Sequence, residues 1–589
     1  MQIGKLIVGP PQTGSQITGK IWDLMADMEE KTVESAAKPI GSSPAPSVEV
    51  VQEGRVFTQD EYHLATLGYK QELVRGLGLF ENWAATFTSM NFISGIPVLF
   101  GWVMYSGGPQ AAFANWTFVG GLSFVVSLAM AEIAAALPTA GGIYYWSYRL
   151  GGEEWGPFLS WMTAWWNWAG WVTVVPGVQQ GSTNFLLSAL EINYPNATVL
   201  TEGWFSWLLT SIGMVFAVLP NVYSQRILAW YFRFAIMIFF TLFFLYWIWF
   251  SVKASGNFQS RSGALNHFHN GINDGDTKQA SDGYCWVISL LFGAWVFFGY
   301  DASAHLAEET KEASEVVAKG MWMATLSGWL LSVPTLIIVL FCMQDFEGII
   351  GAAYSNNWAE YLVQLVGPKG ATAILSMLWV DSTCATASCF MSAQRVTYAI
   401  SRDNVLPGSK YFRRLSKNKK MPVNAAILVY CIAVALTTAV IGSYVAFSAI
   451  TAAATIATNF SYLFPIIARQ TVGRKRFEPA KWNLGRLSPF IGALASLYIG
   501  FLCIVLLLPQ LYPVTGVRRI RMWRALCNRA DKNTQETLNY APVMIGAITL
   551  ISVAGWFLPR IGGRHWFRGP KKTIEADEWQ NARVEGKMD

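Results

Sequence analysis

Apolar stretches of membrane-spanning length recur along this chain, and they constrain its fold more than any other feature. They lie at about 79–105, 112–137, 157–190, 204–222, 227–252, 284–309, 320–343, 365–400, 423–442, 446–468, 488–512 and 540–559, twelve in all. A helix crosses a bilayer with roughly 20 apolar residues. Several stretches are longer, which implies tilt or helical extension beyond the lipid. Inside lipid the backbone must satisfy its own polar groups, and a helix does so within one segment. Apolar residues make up 53% of the chain and charged residues 14%, whereas about a quarter of a soluble domain is charged. The 27 tryptophans fit rings gathered at the two membrane interfaces. The expectation is an all-α polytopic membrane protein with twelve transmembrane helices, not the several soluble domains that 589 residues alone suggest.

The ends read differently. Residues 1–70 are polar and rich in Gly, Pro and Ser, as in GSSPAPS at 41–47, and are expected to form a disordered tail. A transient helix is expected at IWDLMADMEEK, and Met25 or Met28 is an alternative start. No secretory signal is visible, because the first long apolar run begins near Leu77. The basic segments 402–420 and 469–486 fall on the same side of a twelve-helix chain. Lysine and arginine mark the cytoplasmic face, so both termini are cytoplasmic, including a second tail at 566–589. The sequon Asn196-Ala197-Thr198 then lies outside, where it can be glycosylated. The body between the tails spans 71–565. The net charge of +6 is modest and sits in loops, which argues against a nucleic-acid partner. Cys342, Cys384, Cys389, Cys431 and Cys503 lie in apolar stretches without metal-ligand or disulfide spacing, so they read as small core residues.

Two of the apolar segments are interrupted. The sixth carries LFGAWVFFGYDASAHLAEET at 291–310, with Gly299 followed by Tyr300, Asp301, Ser303 and His305. An ionisable group at that depth faces a cavity or a partner, and non-helical backbone there must be covered by protein or water. The first segment carries Asn91-Phe92-Ile93-Ser94-Gly95-Ile96-Pro97 at its centre, and proline removes a backbone donor. Two broken helices five segments apart point to inverted repeats, about 79–253 and 284–468, with two helices added. A break at Ser94, Gly95 and Ile96 offers N–H groups to a carboxylate. A break at Phe298, Gly299 and Tyr300 offers carbonyls to an ammonium group, and Asp301 offers charge. Trp295 lies one to two turns before Asp301, placed as an aromatic lid, and its face attracts a cation.

The stretches SGIPVLFG at 94–101, MAEIAAALPTAGGIYYW at 130–146, FFGYDASAHLAEET at 297–310 and SRDNVLP at 401–407 carry a resemblance. The chain resembles the amino acid–polyamine–organocation superfamily of secondary transporters, nearest its fungal branch of GABA, choline and amino acid permeases. The resemblance covers roughly 70–565. Pro97 departs from it, standing where many relatives carry glycine. It implies a five-plus-five inverted repeat, a midplane substrate site, and proton- or gradient-coupled uptake of a small amino compound. It also implies that Asp301 is tied to gating or protonation, and it makes Glu132, Pro138, Gly141 and Gly142 a structural motif.

The remaining polar residues have competing readings. Glu132 reads as a structural acid that takes loop N–H groups or a cation. Asp381 lines the pocket, binds an ion or makes a helix–helix hydrogen bond. Asn167 faces the cavity or joins helices. His267 and His269 read as solvated. No zinc motif, nucleophile elbow or phosphate-binding glycine loop is present, so an enzyme is not expected, and no cofactor is implied. The expected partners are an amino substrate, protons and the lipid bilayer, and the expected location is the plasma membrane, with an organelle membrane as the alternative. A choline or polyamine permease, a channel, and a nutrient-sensing transceptor stay open. The basic run 516–534 breaks the positive-inside pattern and is expected to be a translated intron or a dispensable insertion.

Overall fold

The fold is described from a computed structural model, over residues 50–52, 55–57, 59–273, 279–417, 419–442, 446–510 and 539–571. Residues 1–59 form a unit of their own. Its described part is an antiparallel pair, β1 (Val50–Gln52) and β2 (Arg55–Phe57), with Val50 opposite Phe57. This stretch of the expected disordered tail therefore carries strands. The segment IWDLMADMEEK and the run 516–534 lie outside the described residues.

The second unit, from Asp60 onward, is helical. Its principal helices are α1 (Gln59–Thr66), α2 (Leu79–Ser89), α3 (Phe92–Val98), α4 (Phe100–Ser106), α5 (Gly108–Ala136), α6 (Ile143–Asn193), α7 (Gly203–Tyr223), α8 (Gln225–Phe244), α9 (Asp282–Ile288), α10 (Leu291–Ala294), α11 (Ala302–His305), α12 (Ala313–Phe341), α13 (Trp358–Arg402), α14 (Val423–Thr437), α15 (Ala446–Gln470), α16 (Ser488–Leu506) and α17 (Ala541–Phe557). Among the described residues, eight helices are long and apolar enough to cross a membrane, or nine if α2–α3 and the bent α4 count as one span. The protein is thus an integral membrane protein. Glycines set the bends of the longest helices. α6 breaks at Gly152 (φ 70°) and α13 at Gly367 (φ 79°), which precedes Pro368. Both backbones lie in a region that side chains disfavour.

α6 packs along α13 and α15, and α5 along α12. Trp116 Nε1 of α5 donates to Ser332 Oγ of α12 at 2.8 Å. Such a bond holds an indole that could not otherwise be buried without loss.

Residues 60–70, expected in the tail, belong to this helical body. Leu64 and Tyr69 are buried in its core, and Asp60 accepts from the backbone N–H groups of Glu312 and Ala313 at the start of α12. An acid at a helix start is stabilising. At the other end, Phe567 is buried and the Lys571 N–H donates to Asp403 Oδ1 at 2.9 Å, so part of the second expected tail is also packed. Cys342, Cys384, Cys389 and Cys503 are buried and Cys431 is exposed. His267 is exposed and His269 half-buried, and both place their rings against Phe346.

Candidate functional site

The first break begins where α2 stops at Met90. Asn91 leaves helical geometry (ψ 102°) and caps α3, its Oδ1 accepting from Ile93 N at 3.1 Å and Ser94 N at 3.3 Å. Asparagine is among the best residues for that position. Pro97 brings no N–H to the carbonyl one turn before it, α3 ends at Leu99, and the chain bends by 53° into α4. The interruptions therefore fall at Asn91 and Leu99, while Ser94, Gly95 and Ile96 lie inside α3. Their donors are partly used: Asn91 takes the Ser94 N–H on its side chain and the Gly95 N–H, at 3.0 Å, on its carbonyl.

The second break runs from Trp295 to Asp301, between α10 and α11. Gly299 has φ 81°, and its N–H donates to Tyr462 Oη at 3.2 Å. Tyr300 is buried and lies over Tyr462, with ring centroids 5.0 Å apart.

The two breaks meet. Ser94, Gly95, Trp295 and Phe298 share a cavity of about 30 Å³, together with Asn91 and Ser382. That volume suits a water or two, so the space at the helix crossing is too small for a solute of amino-acid size. Ile96, Gly299, Tyr300 and Asp301 are buried behind it and do not line it. A larger cavity of about 340 Å³ lies on the flank of α6 and α15, with an almost wholly apolar lining that cannot orient a polar solute.

Asp301 is fully buried and its carboxylate is occupied. Tyr462 Oη donates to Oδ1 at 2.5 Å. Oδ2 accepts from Trp171 Nε1 at 2.9 Å and Asn167 Nδ2 at 3.1 Å, and it meets His305 Nε2 at 3.0 Å. Asn167 also donates to Ser461 Oγ at 3.3 Å, which joins α6, α11 and α15. Asp381 differs. Its Oδ2 accepts from Asn91 Nδ2 at 2.7 Å, while its Oδ1 has no hydrogen-bond partner among the described residues. Ser94 stands within hydrogen-bonding range of that carboxylate.

With this geometry in hand, comparison with known proteins decides the family. A family described as amino acid permease matches residues 80–549. The chain belongs to the amino acid permease family. The permease is 28% identical to the thiamine transporter thi9 of Schizosaccharomyces pombe, over 87% of this chain and 88% of the relative. It is 30% identical to the amino-acid permease BAT1 homolog of Oryza sativa subsp. japonica, over 87% and 96%. The amino-acid permease BAT1 of Arabidopsis thaliana is 28% identical, over 88% and 98%. The permease is a membrane transporter and not an enzyme.

A second polar cluster in the permease escaped the sequence reading. Arg402 Nη1 meets Glu308 Oε2 at 3.3 Å, and Arg395 Nε meets Glu309 Oε1 at 2.9 Å. All four side chains are buried. The guanidinium of Arg402 also stacks 4.1 Å from the Tyr69 ring, a favourable cation–π arrangement. Glu308 Oε1 accepts from Ala140 N at 3.1 Å, in the loop that holds Pro138, Gly141 and Gly142. Gly142 (φ 50°) sits against the His305 ring, and the Gly142 N–H donates to Thr139 O at 2.8 Å. Tyr144 Oη donates to Asp403 Oδ2 at 2.6 Å. Burial pushes the Asp403 carboxyl up, with Arg402 pulling the other way. A signal for the pairs did exist: two adjacent acids in one apolar stretch and two arginines seven residues apart in another must find each other. Glu132 accepts from Leu484 N at 3.3 Å and Ser488 Oγ at 2.5 Å, which ties α5 to the start of α16.

Proposed function

We propose that this permease is a secondary active transporter that moves a small amino compound, GABA or another amino acid, across the plasma membrane with protons, by alternating access. The observation that carries the proposal is the meeting of the two interrupted helices at one small cavity, lined by Ser94, Gly95, Trp295 and Phe298. Broken helices at the midplane are where transporters place substrate. Twelve spans in a five-plus-five inverted repeat fit this arrangement. The bent α2–α4 and α9–α11 are then equivalent, and the contacts of α5 with α12 and of α6 with α13 join corresponding members of the two halves. Arg402 opens the basic stretch 402–420, so the Glu308–Arg402 and Glu309–Arg395 pairs close the cytoplasmic end. The aromatic pair Trp295–Phe298, with ring centroids 5.7 Å apart, offers a face for a cationic amino group. Asp301 serves from behind, as the buried hub that holds α6, α11 and α15 around the site.

The test is uptake of radiolabelled GABA, other amino acids, choline, polyamines and thiamine into a permease-deficient fungal host at several pH values. Thiamine belongs in that panel because one relative is named for its transport. The expected result is concentrative uptake of an amino compound, stronger at low external pH. Uptake of none of these overturns the proposal. Uptake of thiamine alone moves the substrate class. Loss of a nutrient signal but not of uptake on deleting the tails identifies a transceptor.

A further inference from the structure

The cavity of about 340 Å³ on the flank of α6 and α15 takes no part in the site between the broken helices. Its size is that of a small ligand pocket, for which the range is roughly 300–1,000 Å³. Trp155 and Leu159 of α6 form one wall, Phe464 and Ile467 of α15 form the other, and Thr471 and Val472 stand at its end. Trp155, Ile467 and Val472 are exposed. The groove thus follows the last turns of α15, a helix of membrane-spanning length, and opens sideways.

The chain leaves this groove in a basic turn whose position is fixed. After α15 ends at Gln470, the Gly473 N–H donates back to Ala468 O at 2.7 Å and the Arg474 N–H to Thr471 O at 3.3 Å. A Cβ on Gly473 would stand 2.9 Å from Leu150 O, so the turn is seated against the bend of α6. Arg476 reaches the same bend, laying its guanidinium where a side chain at Gly152 would otherwise stand. Trp155, on the groove wall, follows three residues later. Arg469 is half-buried and engaged, 4.0 Å over the Phe477 ring. Arg474, Lys475 and Arg476 are exposed and make no ion pair among the described residues, although Glu153 and Glu154 are exposed on the neighbouring bend. Six basic residues stand between 469 and 486 against one acid, Glu478, so the surplus at the groove mouth is positive.

An apolar groove that ends at unpaired cations matches a molecule with an apolar chain and an anionic head. An acyl chain gains little by exchanging bilayer for groove, because lipid tails are as apolar as these side chains. Selection among lipids therefore falls to the head. Arginine takes phosphate oxygens in pairs and lysine takes them as a point charge. A choline head brings its own cation to the phosphate, whereas a serine or inositol head leaves a net negative charge. The orientation expected from the basic loops puts this turn at the cytoplasmic leaflet, where anionic lipids are found. We propose that the groove and the basic turn form a site for one anionic phospholipid of the cytoplasmic leaflet, with an acyl chain along Trp155, Phe464 and Ile467 and the headgroup phosphate on Arg474, Lys475 and Arg476. The lipid bridges α6 and α15 on their outer flank, as the Asn167–Ser461 hydrogen bond joins them inside. The site is independent of which solute the permease carries.

Native mass spectrometry of the full chain, released from dioleoyl phosphatidylcholine vesicles containing dioleoyl phosphatidylserine, tests this. The expected result is one retained phosphatidylserine per chain, favoured over phosphatidylcholine at equal mole fraction. A cation near a membrane surface contributes about fivefold, so the combined change Arg474→Ala, Lys475→Ala and Arg476→Ala is expected to lower that preference roughly a hundredfold. Ile467→Trp fills the groove and keeps the cations, and it is expected to release the lipid as well; Val472→Trp takes its place if that variant does not fold. Lys410→Ala, Arg413→Ala and Lys417→Ala together remove three exposed cations from the other basic loop, none of which lines the groove, and should leave retention unchanged. Inorganic phosphate should not displace the lipid. Equal retention of the two lipids overturns the proposal, as does an equal loss in the Lys410, Arg413 and Lys417 variant, which would mean attraction to basic surface in general. Displacement by inorganic phosphate would make the turn a site for a soluble anion, and retention that survives a filled groove would leave a charged surface without a chain site; either result also overturns it.

Discussion

Gly95 and Val296 meet where the interrupted helices cross: a Cβ on Gly95 would stand 2.4 Å from Val296 Cγ2. The first break can approach the second only because position 95 has no side chain. Overpacking a tight contact costs ~1–3 kcal/mol, which is about ten- to a hundredfold in an equilibrium. Gly95→Ala is expected to lower uptake by about tenfold and Gly95→Val to abolish it, with surface expression near normal. Adding Val296→Ala to Gly95→Ala makes room for the new methyl and is expected to restore most of the uptake. Normal uptake by Gly95→Val removes α3 from the substrate site.

Asp301→Asn is expected to lose uptake and also to unfold at a lower temperature. An amide cannot accept from Tyr462, Trp171 and Asn167 together while facing His305. Leaving buried donors without their acceptor costs ~1–3 kcal/mol each. Tyr462→Phe removes one donor and keeps the charge, at a cost of ~1.5–3 kcal/mol, so its unfolding temperature should fall between wild type and Asp301→Asn. Asp301→Asn with wild-type stability and no uptake would instead mean that Asp301 meets the substrate directly.

How the sequence announced these features differs from residue to residue. The eight or nine spans found among the described residues were legible because apolar runs of that length have few other uses, and the breaks because Gly299 and Pro97 are costly inside a helix. Asp301 was legible as an acid at membrane depth, but its partners were not. Trp171 and Tyr462 lie 130 and 161 residues away in sequence, and no periodicity encodes such a pairing. The register of the first break shifted because Asn91, a strong capping residue, outweighed Gly95 as the point of interruption. Residues 60–70 escaped because a polar stretch that supplies one capping acid and two buried side chains, Leu64 and Tyr69, reads as tail in composition alone.

The pairs Glu308–Arg402 and Glu309–Arg395 are expected to hold one end of the site shut. A Ser94→Cys reporter, on a background with the exposed Cys431 changed to Ser, reads this through labelling by a membrane-impermeant thiol reagent. Glu308→Gln leaves Arg402 buried without its carboxylate, and ~3–5 kcal/mol is enough to shift a two-state equilibrium well over tenfold. Labelling from the Glu308 side should therefore speed up by about tenfold or more. The exposed pair Lys319–Glu315 is a control, since such pairs contribute ~0–1 kcal/mol, and Lys319→Ala should leave labelling unchanged. Equal rates in Glu308→Gln and wild type would show that the pair does not gate the cavity.

Deletion of 516–534 is expected to leave transport intact, and the reason lies in the residues on either side of that region. Asn539 Nδ2 donates to Leu508 O at 2.9 Å and to Leu506 O at 3.4 Å, and its Oδ1 accepts from Ala541 N at 3.0 Å, the first residue of α17. The end of α16 and the start of α17 are therefore already tied by one side chain, whatever lies between them. A shorter connection closes such a junction with little entropic difficulty, and long or charged outer loops are translocated largely regardless of their charge. The deletion variant should reach the membrane and take up substrate within about twofold of wild type, while Asn539→Ala should destabilise the junction of α16 and α17. Sequencing the transcript across 516–534 separates a retained intron from a genuine insertion. A transcript that keeps the stretch, together with a deletion variant that no longer folds or transports, would rule out both versions and make the basic run part of the permease's working structure.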